Sequence, residues 1–121
     1  MIATAAAAAT VLGACNAGVY LTLGPADNPP GVSLAASPAI AARGDSISLV
    51  AAASDDYRVV EVAFYRVDVG GYTLLGRDSS APYALVTAVP AGASGEVSYF
   101  ARATDDAGQV GQSQTVAVVV R

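Results

Sequence analysis

The stretch VVEVAFYRVDVGGYTLLGRDS, residues 59–79, decides the fold class. Val60, Val62 and Phe64 alternate with less apolar neighbours, and no spacing of three and four residues interrupts them. Val, Phe and Tyr suit a pleated, half-buried surface. Gly70-Gly71 divides VVEVAFYRVDV (59–69) from YTLLGRDS (72–79). Paired glycines between two such runs predict a tight hairpin, because primed turns need positive φ.

The same period of two runs outward in both directions from Val32. It predicts seven strands: 32–36, 46–54, 59–69, 72–79, 83–90, 96–104 and 114–120. The intervening segments SPAIAARGD, DDYR, VGGY, SAP, AGASG and DDAGQVGQ are rich in turn-forming residues. Short, evenly spaced strands with no helix imply an all-β chain, an antiparallel β-sandwich of seven strands. Alternation names the buried faces: Ile47, Leu49, Ala51 and Ala53; Val60, Val62 and Phe64; Val97, Tyr99, Ala101 and Ala103; Val116, Val118 and Val120. The opposite faces carry Glu61, Ser98, Arg102 and Thr115, as a half-solvated sheet should, with Arg66 at the solvent end of the Phe64 face.

Five blocks carry a resemblance across nearly all of this body: GVSLAASP, GDSISLVAAASDD, VVEVAFYRV, LLGRDSSAPYAL and VSYFARATDDAGQVGQSQTVAVVV. In this order and spacing, residues 31–121 resemble a bacterial immunoglobulin-like (Ig-like) domain, of the kind found in secreted and cell-surface proteins. The resemblance implies an Ig-like sandwich over 32–121, and a binding or structural role rather than catalysis.

Composition narrows the chemistry. The 121 residues contain no His, no Trp and a single Cys, so neither a Ser-His-Asp triad nor a Cys-His pair exists. Sites built on His or several Cys are excluded in the same way, and no internal disulfide forms. All six cations are Arg, scattered along a chain of net charge −4. Nucleic-acid binding needs clustered cations to neutralise phosphates, so no nucleic-acid partner is expected.

The first 15 residues read as a leader. Residues 2–14 are an uncharged apolar run, too short to span a bilayer alone but suited to a signal-peptide h-region. Leu12-Gly13-Ala14-Cys15 resembles the lipobox of bacterial lipoproteins, which implies cleavage before Cys15 and acylation of its thiol. No Lys or Arg precedes Cys15. Two other readings stay open: an ordinary secretory signal, and an uncleaved segment running from Ile2 to Leu23. Residues 16–31 read as a tether, and its GVYLTL stretch (18–23) is β-prone enough for strand addition.

Two sets of residues in the body are candidates for function. Asp55-Asp56 and Asp105-Asp106 offer oxygens to calcium if their loops meet, whereas the ordinary reading is that Asp caps its own turn. The second reading is favoured, so no metal or other cofactor is expected. Tyr65 and Phe100 should point outward from adjacent strands, with Ala63, Ala117 and Val119 extending their face. Tyr65, Phe100 and Val119 are therefore the candidate partner-binding residues. The alternatives are cross-strand packing with no partner, and a sugar-stacking platform.

These expectations combine into three parts: a leader (1–15), a tether (16–31) and an Ig-like domain (32–121). The expected function is that of a non-enzymatic cell-envelope lipoprotein, membrane-held through Cys15, whose module meets a protein partner at the cell surface. The alternative is a subunit of a surface layer or filament that self-assembles through an apolar sheet face or by strand addition.

Overall fold

The computed structural model describes residues 28–56 and 58–121. Cys15 and the GVYLTL stretch lie outside them, as does most of the tether. Nine strands occur among the described residues: β1 Gly31–Ser37, β2 Ile40–Ala41, β3 Ser46–Ser54, β4 Val59–Asp68, β5 Gly71–Asp78, β6 Tyr83–Ala88, β7 Gly95–Asp105, β8 Val110–Gln112 and β9 Val116–Val120. One sheet runs β1-β3-β6, and the other β2-β9-β7-β4-β5 with β8 also on β7. Their inner faces meet over Tyr99, Phe64, Ile47, Leu49, Val62 and Val118, all fully buried. The chain is an all-β, Ig-like sandwich.

Seven of these strands coincide with those expected from the alternation, and β2 and β8 are additional. Both lie in segments that read as turns. Pro38 has no N–H to continue the ladder of β1, and the chain crosses to the opposite sheet. There β2 pairs with β9 in parallel, so the sandwich is not wholly antiparallel. Val119 N–H donates to the Ala39 carbonyl at 2.8 Å and Arg121 N–H to that of Ala41 at 2.9 Å.

The hairpin from which the sequence was read sits one residue earlier than expected. Asp68 and Gly71 are partners in the ladder, leaving Val69 and Gly70 as the loop. Gly70 takes the left-handed position, with φ of 80°. The Asp68 carboxylate ties the hairpin end together, accepting from Arg66 Nε at 2.8 Å and from the Thr73 hydroxyl. The Arg66 hydrogen bond first, then that of Thr73, holds the Asp68 carboxyl below its usual value.

Two β-bulges change which side chains reach the core. An irregularity between Val59 and Glu61 turns Val59 toward the core cluster and leaves Val60, an expected core residue, outside it. A second, where Leu75 is the extra residue opposite Phe64 and Tyr65, sends Leu75 inward and leaves Leu74 exposed. Buried Ala41, Tyr83 and Val89 join the core from segments for which no inward face had been assigned.

The break between β8 and β9 is held by Ser113, which is buried. Its N–H donates to the Ala101 carbonyl at 2.8 Å, and its hydroxyl accepts from the Ala101 N–H at 2.9 Å. The hydroxyl therefore stands in for a missing ladder carbonyl, and itself donates to the Gln114 carbonyl at 2.8 Å. Ser113→Ala leaves the N–H of fully buried Ala101 without that acceptor, and should cost about 1–3 kcal/mol. Urea denaturation checks this. Ser113→Thr, which keeps the hydroxyl, should recover most of the loss.

Candidate partner-binding face

Along β4 and β7, residues alternate between the core and the outside of the six-stranded sheet. Phe64 faces Ala101 across the ladder inside, and Tyr65 faces Phe100 outside. Their rings stack with centroids 5.0 Å apart and planes within 12°. Tyr72, from β5, stands edge-on to both, at 5.3 Å from Tyr65 and 5.4 Å from Phe100. Offset-stacked and edge-to-face pairs suit the ring quadrupole.

Arg102 lies two residues beyond Phe100 on the same face and folds back over the rings. Its Cζ is 5.1 Å from the Tyr65 centroid, 4.9 Å from that of Tyr72 and 5.4 Å from that of Phe100. Nε donates to Gln112 Oε1 at 2.9 Å and Nη2 to the Tyr72 hydroxyl at 3.3 Å. The Tyr72 hydrogen bond leads the interactions that raise the guanidinium above its ordinary value, and desolvation opposes them. A cation over three aromatic rings is held electrostatically, and its planar fork is pre-oriented.

This arrangement sharpens the expectation for Phe100. It points outward as expected but is only 4% exposed, in contact with Tyr65, Tyr72 and Arg102. Tyr72, at 52%, is the accessible ring. Val119 lies on the same face but apart from the cluster. It pairs with Glu96 on β7 and Ile40 on β2, and Glu96 is four residues, about 13 Å of strand, from Phe100. Tyr72, Arg102 and Gln112 were not singled out as site residues from the sequence. Arg102 had a signal, being two positions from Phe100 and so on its face. Tyr72 had one too, because a two-residue turn after Val69 or Asp68 puts it on the Tyr65 face. Gln112 had none, because the short β8 strand sets its place.

The acidic pairs meet at one end of the sandwich. Val59 and Asp105 are ladder partners, and Asp106 N–H donates to the Arg58 carbonyl at 3.0 Å. Asp105 is buried and caps its own turn, Oδ1 accepting from the N–H groups of Ala107 at 3.0 Å and Gln109 at 2.8 Å. Asp78 acts similarly for Ser80 and Ala84, and Asp45 for Ala42. Among the described residues, no three or more acidic or Cys side chains group closely enough to hold a metal ion. Asp55, Asp56, Asp105 and Asp106 thus lie in loops at the same end of the sandwich without forming such a group.

At the opposite end, a shallow open groove is lined by residues that include Arg66, Asp68, Pro90, Ser94 and Glu96. Arg66 and Tyr99 are partners across the ladder above it. The Tyr99 hydroxyl is buried without a hydrogen-bond partner among the described residues. Burial pushes its phenol above the ordinary value, and the Arg66 charge offsets part of that. From about pH 10 upward the unfolded chain loses this proton before the native state does, so stability falls as pH rises through that window. Tyr99→Phe should be neutral or mildly stabilising at pH 7, since it removes an unpaired hydroxyl, and should flatten the alkaline decline. Thermal melts of both proteins from pH 7 to 11 check this.

No family profile and no curated protein matches the chain. Among solved structures it is similar to the fibronectin(III)-like modules of Clostridium thermocellum CbhA, at 28% identity and a TM-score of 0.58. That match covers 74% of this chain and 94% of the module. A looser likeness, at 19% identity and a TM-score of 0.43, is to CopC from Methylosinus trichosporium OB3b, covering 74% of this chain and 93% of that one. The first likeness defines the class: a small β-sandwich module with an Ig-like fold.

Proposed function

We propose that the chain is an extracytoplasmic, lipid-anchored display protein whose sandwich is a non-enzymatic binding module. In this reading Cys15 carries the lipid, residues 16–31 form the tether, and the outer face of the six-stranded sheet engages a protein partner. The observation that carries it is the Tyr65–Tyr72–Phe100–Arg102 cluster on a rigid sheet. Tyr and Arg are the residues that dominate binding energy at protein interfaces. The only ionisable groups of this cluster are phenols and a guanidinium, which suit recognition rather than proton transfer near neutral pH. Similarity to solved fibronectin(III)-like modules fits a module better than a free-standing catalyst.

The anchor is tested on protein isolated from native membranes. Mass spectrometry should find an acylated N-terminal Cys15, and an unmodified chain beginning at Met1 overturns the anchor. The module is tested by cross-linking in the same membranes, where wild type should capture a partner that Tyr72→Ala releases.

A second reading, a self-assembling surface subunit, has one observation in its favour. The outer face of β1-β3-β6 presents small uncharged residues such as Ser33, Ala35, Ser48, Val50, Ala84 and Val86. Val50 is 46% exposed and Val86 68%. A flat face without charge is suited to another copy of itself. Light scattering after size-exclusion chromatography separates the readings: a mass that stays monomeric across a hundredfold range of concentration removes the second.

A further inference from the structure

Among the described residues, no carboxylate lies within ion-pair distance of Arg102. The ion pairs among the described residues are Arg66–Asp68 at 2.8 Å and Arg77–Glu61 at 3.1 Å, and both leave Arg102 aside. Its hydrogen-bond partners, Gln112 and the Tyr72 hydroxyl, are neutral. A guanidinium has five N–H donors in a rigid fork, and these two bonds occupy one at Nε and one at Nη2. The chain as a whole is acidic, at net −4, and what sets Arg102 apart from the other arginines outside the two ion pairs is its fixed position over three rings.

Apolar side chains lie on two sides of the cluster, while the Arg77–Glu61 ion pair occupies a third, across Ala63 from Arg102. Val67 and Leu74 flank Tyr65 and Tyr72 on the β4–β5 side, and Val110 lies beyond Gln112 on β8. All three are exposed, Val67 at 40%, Leu74 at 39% and Val110 at 51%. A stacked guanidinium matches a carboxylate with two parallel hydrogen bonds, and the partly apolar platform strengthens that pairing relative to open water. Because neighbours already hold the side chain, less rotamer entropy remains to be lost on binding.

We propose that Arg102 recognises a Glu or Asp carboxylate on a protein partner, in a segment whose flanking apolar side chains rest on Tyr72, Leu74, Val67 and Val110. This rests on the reading of the sandwich as a partner-binding module, and specifies the chemistry that its partner presents. Scattered cations and an acidic chain disfavour phosphate polymers at the same site.

The test uses the full chain and two fluorescent, C-terminally amidated heptapeptides of Leu and Val with Glu or Gln at the centre. Anisotropy should show the Glu peptide binding at least tenfold more tightly than the Gln peptide, with the preference shrinking between 50 and 500 mM NaCl. Arg102→Gln should erase the preference. Arg102→Lys, which keeps the charge but not the fork, should weaken Glu binding several-fold. Circular dichroism should show both variants folded.

Equal binding of the two peptides, no binding of either at millimolar concentration, or an unchanged preference in Arg102→Gln overturns the proposal. Binding of oligogalacturonate in place of the peptides also overturns it, and assigns the cation to an acidic glycan. The membrane cross-linking above keeps the two claims apart. A partner held equally by wild type and Arg102→Gln leaves the module standing and removes this inference, whereas no partner in either removes the module.

Discussion

Phe64→Ala is expected to lower the free energy of unfolding by about 3–5 kcal/mol, the usual range for truncating a buried aromatic residue. The upper part of that range applies, because the void would be hard to refill. Phe64 is fully buried, and its ladder neighbours on either side are Gly76 and Ala101, which have little or no side chain to move into the space. Gly76 is itself constrained from the facing sheet, since a methyl group there would sit 3.0 Å from Leu85 Cδ1. Small domains are stable by about 5–15 kcal/mol, so this one substitution removes a large fraction of the total. Urea denaturation should show a lower midpoint at unchanged slope, whereas a shift under 1 kcal/mol would mean that Phe64 is not central to the core.

Gly111→Ala carries the second large effect, for a different reason. The added methyl group would lie 1.9 Å from the Pro30 carbonyl oxygen and 2.9 Å from its carbon, both backbone atoms. No rotamer change relieves that overlap, so the entry to β1 must move away from β8. The cost should be about 1–3 kcal/mol, as for overpacking elsewhere. Hydrogen exchange should localise it, with protection falling first at the start of β1 while the β4–β7 ladder keeps its own. Gly92→Ala, where an added methyl meets nothing within 4 Å, serves as the control and should change stability little.

Much of the fold was legible because a strand with one buried face repeats every second residue. Ile47, Leu49, Val62, Phe64, Tyr99, Ala101 and Val118 were all placed inside by this period, and all are buried. The pairing of Tyr65 with Phe100 followed from it once their strands were taken as neighbours. The period fails where the backbone gains a residue. Val60 continues the sequence pattern, yet the bulge beside it gives its place to Val59. β2 was missed because two residues are too few to show any period. β8 was missed because its Gly111 reads as a turn former, whereas the structure uses it for close approach to Pro30.

The site divides along the same line. Tyr65 and Phe100 come from long regular strands, so local alternation was enough to aim them at one face. The acidic pairs were read as turn caps, which is a local interaction, and the Asp105 turn has that geometry. Arg102 could be assigned to a face but not to a role, because its position over three rings depends on Tyr72 arriving from β5 and Gln112 from β8.

By itself, then, the sequence determined the fold class, the absence of His-based chemistry and the inward and outward sides of the long strands away from their bulges. Each of these depends on residue type or on neighbours within a few positions. Tertiary structure alone decided that Phe100 is covered, that Val119 stands apart, that Ser113 completes a broken ladder and that Arg102 is held over an aromatic platform. Those outcomes depend on register between strands far apart in the chain. One bulge or one two-residue strand shifts that register without leaving a mark in local composition.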